Sequence, residues 1–321
     1  MKKKLVQLLF AMVLFVPFTA SAHVKWFVDT EELLPQELDA FSITEPAVLA
    51  WIAIVISITA VAVVLDTRLR VLPWVIEFGK KQKEAILWVV HWFVGGWLIA
   101  TFFQGALFVP PFIAETPFAD ILLWVQLGLG VLLMTRRFNQ LAGITLALLY
   151  LGASIEFGWL NMIEHLFILG FAYLFFREHH DRRKQFDHTW SLALIRLTAG
   201  ISLIILGLQE KILHPILVTE FLETHPWNFM QILGFEWFDD RLFILSGGMT
   251  EMLFGILYVI GVVTRINTLA FAGFLITTAI VLGPKEILGH LPIFAAALLF
   301  LVYGSGSKLH IPSMLRANKR K

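Results

Sequence analysis

The chain has 321 residues, 58% of them hydrophobic and 15% charged, with a net charge of +1. A soluble domain carries about 25% charged residues, so this is the composition of an integral membrane protein. There is no cysteine, which excludes disulfides, thiol relays, covalently attached c-type haem and thiolate metal sites.

The first eighteen residues predict a secretory signal. Lys2, Lys3 and Lys4 precede an apolar stretch from Leu5 to Phe18, and Pro17 leads into Ala20-Ser21-Ala22. That is the small-x-small pattern of a signal-peptidase site, and cleavage there makes His23 the first residue of the mature chain. Residues 23–45 then read as a periplasmic N-terminal segment. Trp26 and Phe27 suit a membrane interface, and Asp29, Glu31, Glu32, Glu37 and Asp39 form an acidic linker.

A helix needs about 20 apolar residues to cross the hydrocarbon core. By that criterion nine spans are expected, near 46–65, 86–108, 118–135, 140–157, 160–176, 190–209, 242–263, 266–283 and 292–305. Arg68, Arg70, Lys80, Lys81 and Lys83 follow the first span, Arg136 and Arg137 the third, and Arg177, Arg182, Arg183 and Lys184 the fifth. Arg265 follows the seventh, and a basic tail follows the ninth. These are alternate loops. The positive-inside rule therefore puts the C-terminus in the cytoplasm and the N-terminus in the periplasm of a bacterial inner membrane. As topology signals, the basic loops give no reason to expect nucleic acid.

The chain also carries an internal repeat. "GGWLIATFFQGALFVPPFIAE" (95–115) aligns with "GISLIILGLQEKILHPILVTE" (200–220), so that Gly95 meets Gly200 and Gln104 meets Gln209. "TRRFNQLAGI" is similar to "TRINTLAFAG", and "IEHLFILGFAYLFF" to "LGHLPIFAAALLF", which sets His165 opposite His290. The expected organisation is a signal peptide (1–22), the periplasmic segment, and a leading helix (46–66). A first four-helix repeat (85–177), a second (190–306) and a basic cytoplasmic tail (307–321) follow. Two such halves, each starting and ending inside, would be parallel repeats.

The second half resembles the DoxX family of integral membrane proteins. The likeness rests on "IRLTAGISLIILGLQEKILHP", "GGMTEMLFGILYVIGVVTR" and "INTLAFAGFLITTAIVLG". The first half keeps the outline but has Gly105-Ala106 in place of Glu210-Lys211, and it lacks the Gly-Gly-x-x-Glu. It resembles a divergent copy. The resemblance implies an all-α fold of two parallel four-helix bundles. It also implies a role as a membrane subunit of a quinone-linked oxidoreductase, such as thiosulfate:quinone oxidoreductase. Family likeness predicts architecture better than reaction.

Polar residues within the spans mark the candidate site. Glu251 sits mid-span, where a carboxyl must be protonated, paired or beside a cavity. It reads either as a proton-accepting group or as a helix-to-helix contact to Gln209 or Thr250. Glu210 and Lys211, with His214 nearby, read as an interfacial pair or as the rim of an outward-facing site. Arg196 is expected to snorkel to the cytoplasmic interface. His23, His165, His214, His225 and His290 all fall on the exported side.

An N-terminal histidine binds copper through its amine and its ring together, and imidazole suits copper and zinc. His23, His165 and His290 are the candidate metal ligands. No local histidine pair, P-loop, dinucleotide fingerprint or hydrolase elbow appears.

Three functions stay open. The first is a redox subunit using quinone, with Glu251, Lys211 and Glu210 as catalytic residues and His214, His290 and Gln209 as quinone-binding residues. In it Glu251 handles a proton while Lys211 or a histidine hydrogen-bonds a quinone oxygen, and the chain would work with a redox partner subunit. The second is a copper or zinc handling protein built on His23. The third is a scaffold or assembly factor without catalysis.

Overall fold

The computed structural model describes Lys25, Val28 and residues 40–69, 71–181, 186 and 189–310. The predicted signal segment, His23, the acidic linker, Arg70, the basic run 182–184 and the tail from 311 lie outside the described residues.

Every described element is helical, and the described residues contain no strand, only an isolated bridge between Ala106 and Ile113. In chain order α1 is Pro46–Arg68, α2 Pro73–Lys81, α3 Lys83–Phe103, α4 Pro117–Thr135 and α5 Asn139–Phe157. The short α6 (Trp159–Met162) and a 3-10 turn (Ile163–His165) lead into α7 (Phe167–Asp181). Next come α8 (Trp190–Leu206) with a π-helical extension (Gly207–Leu213), α9 (Pro215–Thr224) and α10 (Phe229–Ile232). The chain closes with α11 (Asp240–Ile260), α12 (Thr264–Leu282) and α13 (Pro284–Tyr303).

Local chemistry sets these boundaries. Proline opens α1, α2, α4, α9 and α13, where its missing N–H costs nothing. Thr116 and Asp239 cap α4 and α11 by accepting from Ala119 N and Leu242 N, satisfying donors that the helix leaves orphaned. Gly261 ends α11 at φ 81°, a left-handed conformation that glycine adopts without steric cost.

Among the described residues seven helices are long and apolar enough to cross a membrane, or eight with the bent pair Trp159–His165 and Phe167–His179 counted as one span. The expected single span at 160–176 is thus broken by a 61° bend. The span expected at 266–283 is the 19-residue helix Thr264–Leu282. Ile155, Ile280 and Leu148 are left 79%, 78% and 62% exposed; side chains this apolar suit lipid rather than water.

The eight helices of the two expected repeats form one closed ring. Each of α3, α4, α5, α7, α8, α11, α12 and α13 packs on the next, and α13 packs back on α3. The expectation of two bundles therefore needs adjusting, because the end helices of each half find partners in the other half (α7 on α8, α13 on α3). One apolar core, from Leu87 and Leu146 through Phe175 to Leu275 and Phe300, runs through both halves. Helix α1 lies outside the ring against α11.

The first helices of the halves correspond at a spacing of 105 residues, and the helix ends after them at a spacing of 125. Arg136 follows α4 as Gly261 follows α11, Gly158 precedes α6 as Gly283 precedes α13, and His165 matches His290. A close helix crossing recurs too. A methyl group on Gly130 would meet the Gly95 carbonyl oxygen at 2.9 Å, and one on Gly255 would meet that of Gly200 at 2.5 Å. Small residues here let the backbones touch. On this spacing the "TRR…" and "TRI…" alignment is one helical turn out of register, since Thr135 ends α4 whereas Thr264 begins α12.

Candidate functional site

The site grows from an irregularity at the end of α8. Pro215 has no N–H to continue a regular ladder, and His214 N instead donates five residues back to Gln209 O at 3.1 Å. In this widened π turn the adjacent Glu210 and Lys211 are both fully buried. They do not form an exposed interfacial rim, as a regular helix ending at the surface would have made them. Such turns are frequent at functional sites. Gly207 and Gly248 allow α8 and α11 to meet closely beside it, a methyl on Gly207 lying 2.7 Å from Gly248 O.

Opposite charges then alternate through the buried region. Glu251, the twelfth residue of α11 and so roughly 16 Å along it, accepts from Lys211 Nζ at 2.9 Å. Its partner is neither Gln209 nor Thr250. Lys211 Nζ lies 3.9 Å from Glu210, Lys25 Nζ 4.0 Å from Glu210, and Lys25 donates to Glu164 at 2.6 Å. Glu164 belongs to the break before α7, so the first half and the N-terminal segment both contribute to a cluster centred on the second half. Glu286, at the start of α13, accepts from Thr278 Oγ1 at 3.0 Å, and its backbone carbonyl lies 2.8 Å from His290 Nδ1. Sequence reasoning missed Lys25, Glu164 and Glu286, because only folding brings the segment breaks to the π turn.

Glu164 also lines a small cavity of about 30 Å³ among α7, α8, α11, α12 and α13. Its other walls are apolar or aromatic, including Phe167, Phe271 and Phe300, with Ser202 as a second polar group. That volume holds about one or two waters.

The remaining candidates are spread out. Gln209 and His214 are half-buried; partial burial and the Lys25 charge push the His214 imidazole below its ordinary value of 6.5. His165 is buried with its ring edge-on to Phe112 and Phe167, and His225 stacks on Phe221. His23 is outside the described residues. Among the described residues no three histidine, aspartate or glutamate side chains are placed to hold a metal ion.

At the opposite, basic end lies a second polar network. His91 Nε2 is 2.6 Å from Glu178 Oε2, and Arg136 donates to the other oxygen of Glu178 through Nε at 2.8 Å and also through Nη2. All three side chains are buried. Arg196 does not snorkel. It is fully buried, with its guanidinium donating to the carbonyls of Tyr258, Val259, Ser305 and Leu309.

No protein-family model, curated protein or solved structure matches the chain. What the fold and site define is a class: an all-helical membrane protein with a buried ladder of alternating charges.

Proposed function

We propose that the chain is a DoxX-like inner-membrane protein, made with a cleaved signal peptide and nine spans in two repeats. Its N-terminus is periplasmic and its C-terminus cytoplasmic. It serves as the membrane subunit of a quinone-linked redox system, and the buried ladder carries the protons. Quinol oxidation releases two protons with its two electrons; the electrons pass to a redox partner subunit, and the protons need acceptors inside the membrane.

The observation that carries this reading is the ladder from Lys25 and Glu164 through Glu210 and Lys211 to Glu251. Within the described residues, four carboxyls (with Glu286) face two lysines. A buried carboxylate is costly without a partner, so the surplus carboxyls are where protons are taken up and passed on. Glu164 joins the ladder to the small apolar cavity. The test is extraction of lipid-soluble quinone from the detergent-purified protein, beside Glu251→Gln. About one quinone per chain, lost in the variant, supports the reading. No quinone in either protein refutes it and leaves the scaffold function standing.

A further inference from the structure

At the basic end a groove of about 260 Å³ opens between the segment leading into α2 and the turn joining α11 to α12. One wall is apolar, made by Leu69, Leu72 and Val75 with Ile266 opposite. The polar side has Asp66, Thr264, Arg265 and Ser305. Asp66 already has partners, accepting from Val263 N at 2.8 Å and lying 3.0 Å from His310 Nε2. The Thr264 hydroxyl is buried and has no hydrogen-bond partner among the described residues. It sits in the first turn of α12, whose backbone N–H groups favour an anion.

Helix α2, nine residues long, is too short to span. It is fastened to the end of α13, where Tyr303 donates to Gly79 O at 3.1 Å and a methyl on Gly79 would meet Val302 at 2.8 Å. Trp74 and Phe78 remain 67% and 47% exposed, beside exposed Lys80 and Lys81. An amphipathic helix with aromatic and basic side chains lies in the headgroup layer. Exposed Arg68 directly precedes the groove wall at Leu69.

We propose that this groove binds one anionic glycerophospholipid from the leaflet on the basic side. The phosphate faces the first turn of α12 beside the charge of Arg265, whose Nε and Nη2 already donate to Leu301 O at 3.0 Å and Val302 O at 2.8 Å, and acyl carbons lie along Leu69, Leu72, Val75 and Ile266. Arg68, Lys80 and Lys81 select for negative headgroups, each basic group near such a surface adding to the attraction. A free inorganic phosphate would gain nothing from the apolar wall, so a lipid is the occupant. The inference stands apart from the proton reading and survives if that reading fails.

The test is native mass spectrometry of the full chain, offered phosphatidylglycerol and phosphatidylcholine of equal chain length. The expected result is one retained phosphatidylglycerol, preferred by about tenfold. Val75→Trp, which fills the groove, removes it, and Lys80→Gln with Lys81→Gln, both on the surface, reduces the preference. Equal retention of the two lipids overturns the proposal. So does unchanged retention by either variant, or inorganic phosphate retained as well as the lipid.

Discussion

The same two positions are solved differently in the two halves, and the difference separates packing from chemistry. With the helix ends in register, Glu251 falls opposite Gln126, and Lys211 opposite Ala106. Gln126 is buried and saturated: the two Nε2 hydrogens are shared among Leu98 O, Thr101 Oγ1 and Ala106 O, all within 3.1 Å, while Oε1 accepts from Phe108 N. A neutral amide therefore ties α4 to the end of α3 without any charge. The second half spends a lysine and a carboxylate on the same junction, although a buried ion pair is no more stabilising than well-packed neutral groups. The proposed proton-carrying role would account for that extra charge.

At the basic end the halves exchange parts. His91 matches Arg196, Arg136 matches Gly261, and His91 Nδ1 lies 3.2 Å from Leu133 O where Arg196 donates to Tyr258 O. One half brings the guanidinium from the helix, leaving a glycine at the turn. The other brings it from the turn, leaving a histidine in the helix. A methyl on Gly261 would lie 2.6 Å from Arg196 Nη1, so the two devices exclude each other.

The comparison is broken most severely by removing one member of a charged set. Glu178→Ala leaves buried Arg136 with only the exposed Glu84 carboxylate, 3.0 Å from Nη2, and should cost about 3–5 kcal/mol, read as a large fall in the thermal midpoint in detergent. Lys211→Ala alone should cost a similar amount by stranding Glu251. Adding Glu251→Gln copies the first half and should restore most of the loss, a strong non-additivity. In the first half, Gln126→Glu trades the amide's two N–H donors for a carboxylate and should cost about 1–3 kcal/mol, with Ala106→Lys recovering part.

The smallest effect concerns pH. His214 titrates below 6.5 when folded, so folding favours its neutral form. Its contribution is intact above the unfolded value of about 6.5 and is lost as pH falls through the depressed folded value. Lys25→Met should move the imidazole back towards 6.5 in an NMR titration, and no movement would dissociate Lys25 from this region.

Most of the helices were legible in the sequence because apolar runs and basic loops act locally. The span at 46–65 became Pro46–Arg68, and 190–209 became α8 with its extension. The bend at Glu164 was not legible, since a short 3-10 turn leaves the apolar composition unchanged. The short helices α2, α9 and α10 were missed because they are too brief to show a period. Glu251, Lys211 and Glu210 were found as polar letters in apolar text, but their mutual contact needed the π turn. Gln126 was hidden by a slip of one turn in the repeat, a cheap error where most letters are apolar.

The most direct test of the central claim is the double variant Lys211→Ala/Glu251→Gln, purified beside the unaltered protein and measured for thermal midpoint and bound quinone together. The account predicts a midpoint close to that of the unaltered protein with the quinone gone. A double variant that fails to fold, or one that folds and keeps its quinone, would contradict it.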